Sequence, residues 1–159
     1  MNIIESIDQY DVNNVFFCDP MKNNVMEDGV FIRILYSTHL FTLNGVYLSL
    51  SVNITSIEKY YNKYKIFFDK NVHSDLISQI YKIESGILQK SNITNKVQQY
   101  KIYDQLKNGN IKIFADLNQT TANCGANDNN SQTFLLKISG IWETELNYGV
   151  TYKFIRVQD

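Results

Sequence analysis

One proline, two cysteines, two histidines and seven glycines are all that the 159 residues contain of the types that mark turns, staples and metal sites. Cys18 and Cys124 lie far apart with no Cys-x-x-Cys spacing. With only His39 and His73 beside them, no zinc-ligand pattern assembles, and free thiols in a reducing compartment are expected. No apolar run approaches the roughly eighteen residues that a membrane helix needs, so no membrane partner is expected. The first residues, MNIIESIDQYD, carry acids where a secretory signal would carry Lys or Arg, which points to an intracellular protein. Also missing are the nucleophile elbow, the Walker loop, the dinucleotide fingerprint and the zincin motif. An enzyme is disfavoured and no cofactor is expected. Glu143 and Glu145 share a strand face, but without a third ligand they read as a solvated strand end.

What is present is one domain's worth of chain, 44% hydrophobic and 19% charged, with a 13% aromatic share supplied mostly by eleven Tyr and nine Phe. The formal charge of −1 hides a segregation. Residues 59–112 hold ten Lys and four acids, a balance of +6, and the remainder carries −7. Such a basic middle either solvates exposed faces or meets a polyanion.

The hydropathy pattern is mostly β. A lead-in segment, 1–27, precedes a β-rich core, 28–159. The run Val30 to Ser37 reads as a strand, and after Asn44-Gly45 the clearest alternation in the chain places Val46, Leu48, Leu50, Val52 and Ile54 on one face. A third strand covers Tyr64 to Phe68. The period then changes to three and four, predicting a helix over about 73–90, and a short helix follows near 100–106. Strands resume at Ile111 to Phe114, and a hairpin is expected from Thr133 to Val157. Between them, 117–132 reads as an exposed Asn-rich loop. The order predicts an α+β, mostly β fold: an OB-like antiparallel barrel or sandwich of five to seven strands, with one main helix between the third and fourth core strands. An unclassified β-sandwich is the rival.

The constellation that suggests chemistry is Lys59-Tyr60-Tyr61-Asn62-Lys63-Tyr64-Lys65-Ile66-Phe67-Phe68-Asp69-Lys70. Single-stranded nucleic acid is held by cations along its phosphates and by aromatic faces under its bases, and this segment supplies both. Alternation from Tyr64 turns Ile66 and Phe68 inward and Lys65 and Phe67 outward, beside Tyr47. Arg33 extends the patch. Lys112 and Lys137 point away from apolar faces and join Lys59, Tyr61 and Lys63 as candidate contacts. Trp142 shares a face with Phe134, Leu136 and Ile138, so burial is expected. The competing reading packs these aromatics in the core under a cover of Lys.

Two stretches carry a resemblance: Asp28 to Thr38 and Leu43-Asn44-Gly45-Val46-Tyr47, with Asp19-Pro20, and then Lys137-Ile138-Ser139-Gly140-Ile141-Trp142-Glu143 with Tyr148-Gly149-Val150-Thr151-Tyr152-Lys153-Phe154. They resemble small uncharacterised proteins of large DNA viruses, and the closing hairpin is similar to the last strands of viral OB-fold proteins that bind single-stranded DNA. The resemblance implies sequence-nonspecific strand binding in replication or repair, in host cytoplasm or nucleus, with self-association and packaging in the virion left open. Those relatives end in an acidic tail with a terminal aromatic, whereas this chain stops at Arg156-Val157-Gln158-Asp159, so recruitment through such a tail is not expected. The alternative is a virion or host-interaction protein that uses an aromatic surface.

Overall fold

Alternation sets the longest strand. Val46, Leu48, Leu50 and Val52 are buried while Ser51 and Asn53 between them are exposed, as one face of a strand on a core requires. In the computed structural model, which describes residues 4–22, 29–114 and 131–157, this strand begins a closed barrel. Before it come β1 (Glu5–Ser6), β2 (Val15–Phe17), β3 (Met21–Lys22), β4 (Val30–Ser37) and β5 (Thr42–Leu43). The long strand is β6 (Val46–Tyr60), followed by β7 (Lys63–Phe68), helix α1 (Ser74–Lys90), β8 (Val97–Gln99) and helix α2 (Lys101–Lys107). The chain closes with β9 (Asn110–Phe114), β10 (Ser131–Glu143) and β11 (Asn147–Arg156). The Asn-rich loop lies outside the described residues except for Ser131, which opens β10, and Gln132.

Five strands close in the order β6, β7, β9, β11, β10 and back to β6. Each neighbour is antiparallel except β9 with β11, which pair in parallel through Ile113 and Phe154. The barrel is therefore mixed and not antiparallel throughout as expected. The reason is topological: direction cannot alternate all the way round a ring of five, so one pair must be parallel. Leu48, Leu50, Ile66, Ile111, Phe134, Leu136, Ile138, Val150 and Phe154 turn inward and are buried.

The strand expected to come first, β4, lies outside the ring. It pairs with β10 through Arg33↔Gly140 to Val30↔Glu143, and β2, β3 and β5 pair in turn with β4. Both helices follow the third long strand of the chain, as the period change predicts, but they join the second and third strands of the ring. Where β10 passes from β6 to β4 the backbones come so close that a Cβ on Gly140 would overlap the Ile32 carbonyl and the Phe31 ring. The pairing of β10 with β11 shifts register between Ile138 and Gly140. That extra residue inverts the inward set: Ile141 is buried and Trp142 is only half-buried, packed near Gly149, against the expectation that Trp142 continues the Phe134, Leu136, Ile138 face.

Glu84 sits on the apolar stripe of α1 among Ile80, Ile83, Ile87 and Leu88, and it is fully buried. No side chain on α2 caps its own start. Instead the Glu84 carboxylate accepts from the N–H groups of Ile102 and Tyr103, both at 3.0 Å. One helix thus satisfies the orphan donors of the other. Burial pushes the Glu84 carboxyl up to about 7, and nearby Asp104 adds to the rise, while the two amide bonds pull it down.

Candidate nucleic-acid interface

The turn between β6 and β7 contains only Tyr61 and Asn62, because Tyr60 and Lys63 are already paired. Tyr61 has φ 53, the left-handed region that suits Gly or Asn. An L side chain held there costs roughly 1–2 kcal/mol. The ring thus held is 84% exposed and touches Tyr60, itself 67% exposed, edge to face at 4.7 Å. Strain is accepted at the tip of a hairpin to display an aromatic that buries almost nothing. Tyr61→Gly is expected to raise the midpoint of urea unfolding and to weaken nucleic-acid binding about fivefold or more, the loss of one stacked base. Loss of stability on this change would remove the argument from strain.

From this tip two strands descend with cations and rings on their outer face. Lys63, Lys65 and Phe67 alternate with the inward Tyr64, Ile66 and Phe68 on β7, and Lys112 and Phe114 are exposed on β9. The register places Lys63 opposite Phe114 and Lys65 opposite Lys112. The Lys63 ammonium lies 5.2 Å over the Phe114 ring, and Lys65 lies 5.2 Å over Phe67. Phe114 is 68% exposed, a large ring that no core claims.

The basic surface continues round the barrel. Lys112 and Lys153 each stand one position before the paired Ile113 and Phe154 on parallel strands, so they are neighbours. Lys153 is opposite Lys137, and Lys137 is opposite Tyr47, with its ammonium 5.4 Å over that ring. Lys65, Lys112, Lys153 and Lys137 therefore form one row across four adjacent strands, about 14 Å long at the usual strand spacing. Among the described residues none of the four has an ion-pair partner, for the two bridges found are Lys96 to Glu143 and Lys107 to Asp104. Like charges opposite one another destabilise a sheet by about 0.2–1 kcal/mol per pair. A row of them is a standing electrostatic penalty that a polyanion would cancel.

Among the residues singled out from sequence, Lys63, Lys65, Phe67 and Lys112 come together on the face of β7 and β9, with Tyr61 at its tip. Tyr47 and Lys137 mark the far end of the row. Arg33 belongs to that end as well: it is exposed on β4 and donates to Asn44 Oδ1 at 3.1 Å, and a Cβ on the adjoining Gly45 would lie 3.7 Å from Lys137 Cε. Lys59 does not join them. It pairs with Tyr64 on the opposite face of the hairpin, its ammonium 5.9 Å over that ring. Tyr47 is not beside Lys65 and Phe67 as expected, because the first half of β6 pairs with β10 and only residues 54–60 pair with β7. Sequence reasoning missed Lys153, whose signal is its place directly before the buried Phe154.

No family model, curated protein or solved structure matches the chain. Its site is read from geometry alone. Among the described residues no three of His, Cys, Asp and Glu gather as metal ligands. Glu143, weighed above as half of an acid pair, is held by Lys96 at 2.5 Å. His73 Nε2 accepts from the Asn53 N–H at 3.0 Å, and the Cys18 thiol is free and half-buried. No helix among the described residues is long and apolar enough to cross a membrane.

Proposed function

We propose that the protein is a non-catalytic binder of single-stranded nucleic acid, sequence-nonspecific and of viral type, acting in replication or repair. The carrying observation is the lysine row, which forms no ion pair among the described residues and has one acid, Glu58, opposite Lys65 at its end, flanked by exposed Tyr60, Tyr61 and Phe114. Cations along a backbone and open rings for bases are the two elements such binding needs. The fold we read as an OB barrel. Oligonucleotides on that fold use the face of its second and third strands and the loop joining its first and second. Counted round this ring, those are β7, β9 and the Tyr61-Asn62 turn, where the basic and aromatic side chains are. The two helices depart from the OB order, in which the helix joins strands three and four. The closing hairpin's likeness to viral single-strand binders belongs to this reading, as does an intracellular site of action in the host.

The test is a titration of intrinsic fluorescence with oligothymidine at two salt concentrations. Binding whose logarithm falls against log salt with a slope of about −3, the value for four or five phosphate contacts on a single strand, supports the proposal. No binding at about 50 mM salt overturns it. The second reading, a virion or host-interaction protein, draws on the same exposed Tyr60 and Tyr61 but leaves the lysine row without a use. It requires self-association or protein capture with no salt-dependent oligonucleotide binding.

A further inference from the structure

The face of β7 and β9 does not run on indefinitely. Its last rung is the bond from the Phe68 N–H to the Gly109 carbonyl at 3.0 Å. Beyond it the two chains leave for α1 and α2, and between these helices opens a cleft of about 290 Å³. Lys70 and Lys107, each two residues beyond that rung along its own segment, line the cleft with Asn71, Ser74, Ile77, Ser78, Tyr81 and Tyr103. Among the described residues no carboxylate lines it. Asp104 pairs with Lys107 at 3.2 Å, and Asp69 accepts from the Asn71 N–H at 2.9 Å. The Lys107 ammonium also lies 5.4 Å over the ring of Tyr103, another residue of the lining. Lys70 has no ion-pair partner among the described residues.

We infer that this cleft holds a phosphate monoester, the terminal phosphate of a nucleic-acid strand lying on the face of β7 and β9. The inference rests on the strand-binding reading above and adds a site to it. The pairing of β7 with β9 ends at that rung and the cleft opens next to it, so a strand following the rungs reaches the cleft at its end. An internal phosphodiester offers one negative charge, whereas a terminal monoester carries close to two at neutral pH and presents three acceptor oxygens. Two lysines, Lys70 without an ion pair among the described residues and Lys107 shared with Asp104, and four hydroxyl-bearing residues in the lining match the monoester. Either end of a strand can supply it, and the chemistry recognised is the same.

The experiment compares three oligothymidines of about ten residues, bearing only hydroxyl ends, a 5′-phosphate or a 3′-phosphate, at a salt concentration where all binding is reversible. With the full chain, one phosphorylated end is expected to bind about five- to tenfold tighter than the hydroxyl-ended strand. In the Lys70→Gln, Lys107→Gln double variant that ratio is expected to fall to about one. Equal affinity for all three strands, or a gain that survives in the double variant, overturns the terminal site and leaves the strand-binding reading standing. If none of the three binds, the strand-binding reading fails and this inference fails with it.

Discussion

Replacing Lys65, Lys112 and Lys153 together by alanine is expected to weaken oligothymidine binding about a hundredfold at 0.1 M salt and to make the salt slope shallower by about 2, the share of three contacts on a single strand. The same variant should unfold at an equal or higher urea concentration than the parent. Lys65 is opposite Lys112, and Lys153 is opposite Lys137. Removing these side chains relieves two like-charge pairs, each worth about 0.2–1 kcal/mol, against one opposite-charge neighbour lost where Glu58 faces Lys65, and exposes no core. A row that merely solvates the barrel gives the reverse outcome: binding unchanged, or lost only because the protein unfolds. Equilibrium unfolding and fluorescence titration on one preparation separate these cases. Lys153 carries the most weight in this test, since it alone joins the β7 and β9 face to Lys137 and Tyr47.

Stability should fall as pH rises, and Glu84 is the group responsible. Its folded value of about 7 stands above the ordinary 4.5. The unfolded chain therefore releases the proton first, and the stability present below about pH 4.5 is lost as pH rises through 7. The loss is on the order of 2–3 kcal/mol. Glutamine imitates the protonated acid, with one acceptor for the two amides of Ile102 and Tyr103. Glu84→Gln should therefore equal the parent in urea unfolding at pH 5 and exceed it at pH 8. Glu84→Ala leaves both amides without an acceptor and opens a cavity, so a loss of about 2–4 kcal/mol is expected at pH 5. A glutamine variant less stable than the parent at pH 8 would mean that the ionised carboxylate's amide bonds outweigh its burial.

What was legible in the sequence is what depends on near neighbours. The three-and-four spacing of Ile77, Ile80, Ile83 and Ile87 predicts a helix over 73–90, and α1 spans Ser74–Lys90. Alternation assigns Ile66 and Phe68 to the core and Lys65 and Phe67 to the outer face, as found. Glu84 had a visible signal, a lone acid on an apolar stripe. Register was not legible. The two-residue turn that aligns β7 on β6 is hidden because tyrosine is a poor choice for a left-handed φ, so the third strand is expected only from Tyr64 and the pairing of Glu58, Lys59 and Tyr60 is not. The register shift beside Gly140 left no mark in the hydropathy pattern, and Trp142 was assigned to the wrong face for that reason. The lysine row depends on the parallel meeting of β9 and β11, which residues close in sequence cannot specify.

The closed ring also governs how the molecule is made. Its seam, β6 against β10, joins residues such as Ser51 and Thr133, 82 positions apart, and β11 must arrive before β9 finds its parallel neighbour. On a ribosome the alternating Val and Leu edge of β6 waits unpaired while the intervening chain is synthesised. Contacts at such separation make closure slow, because loop entropy is spent before any pairing rewards it. During that interval the open edge is a template for a second nascent copy. Yield on refolding should therefore depend on protein concentration far more than the stability of the finished barrel suggests.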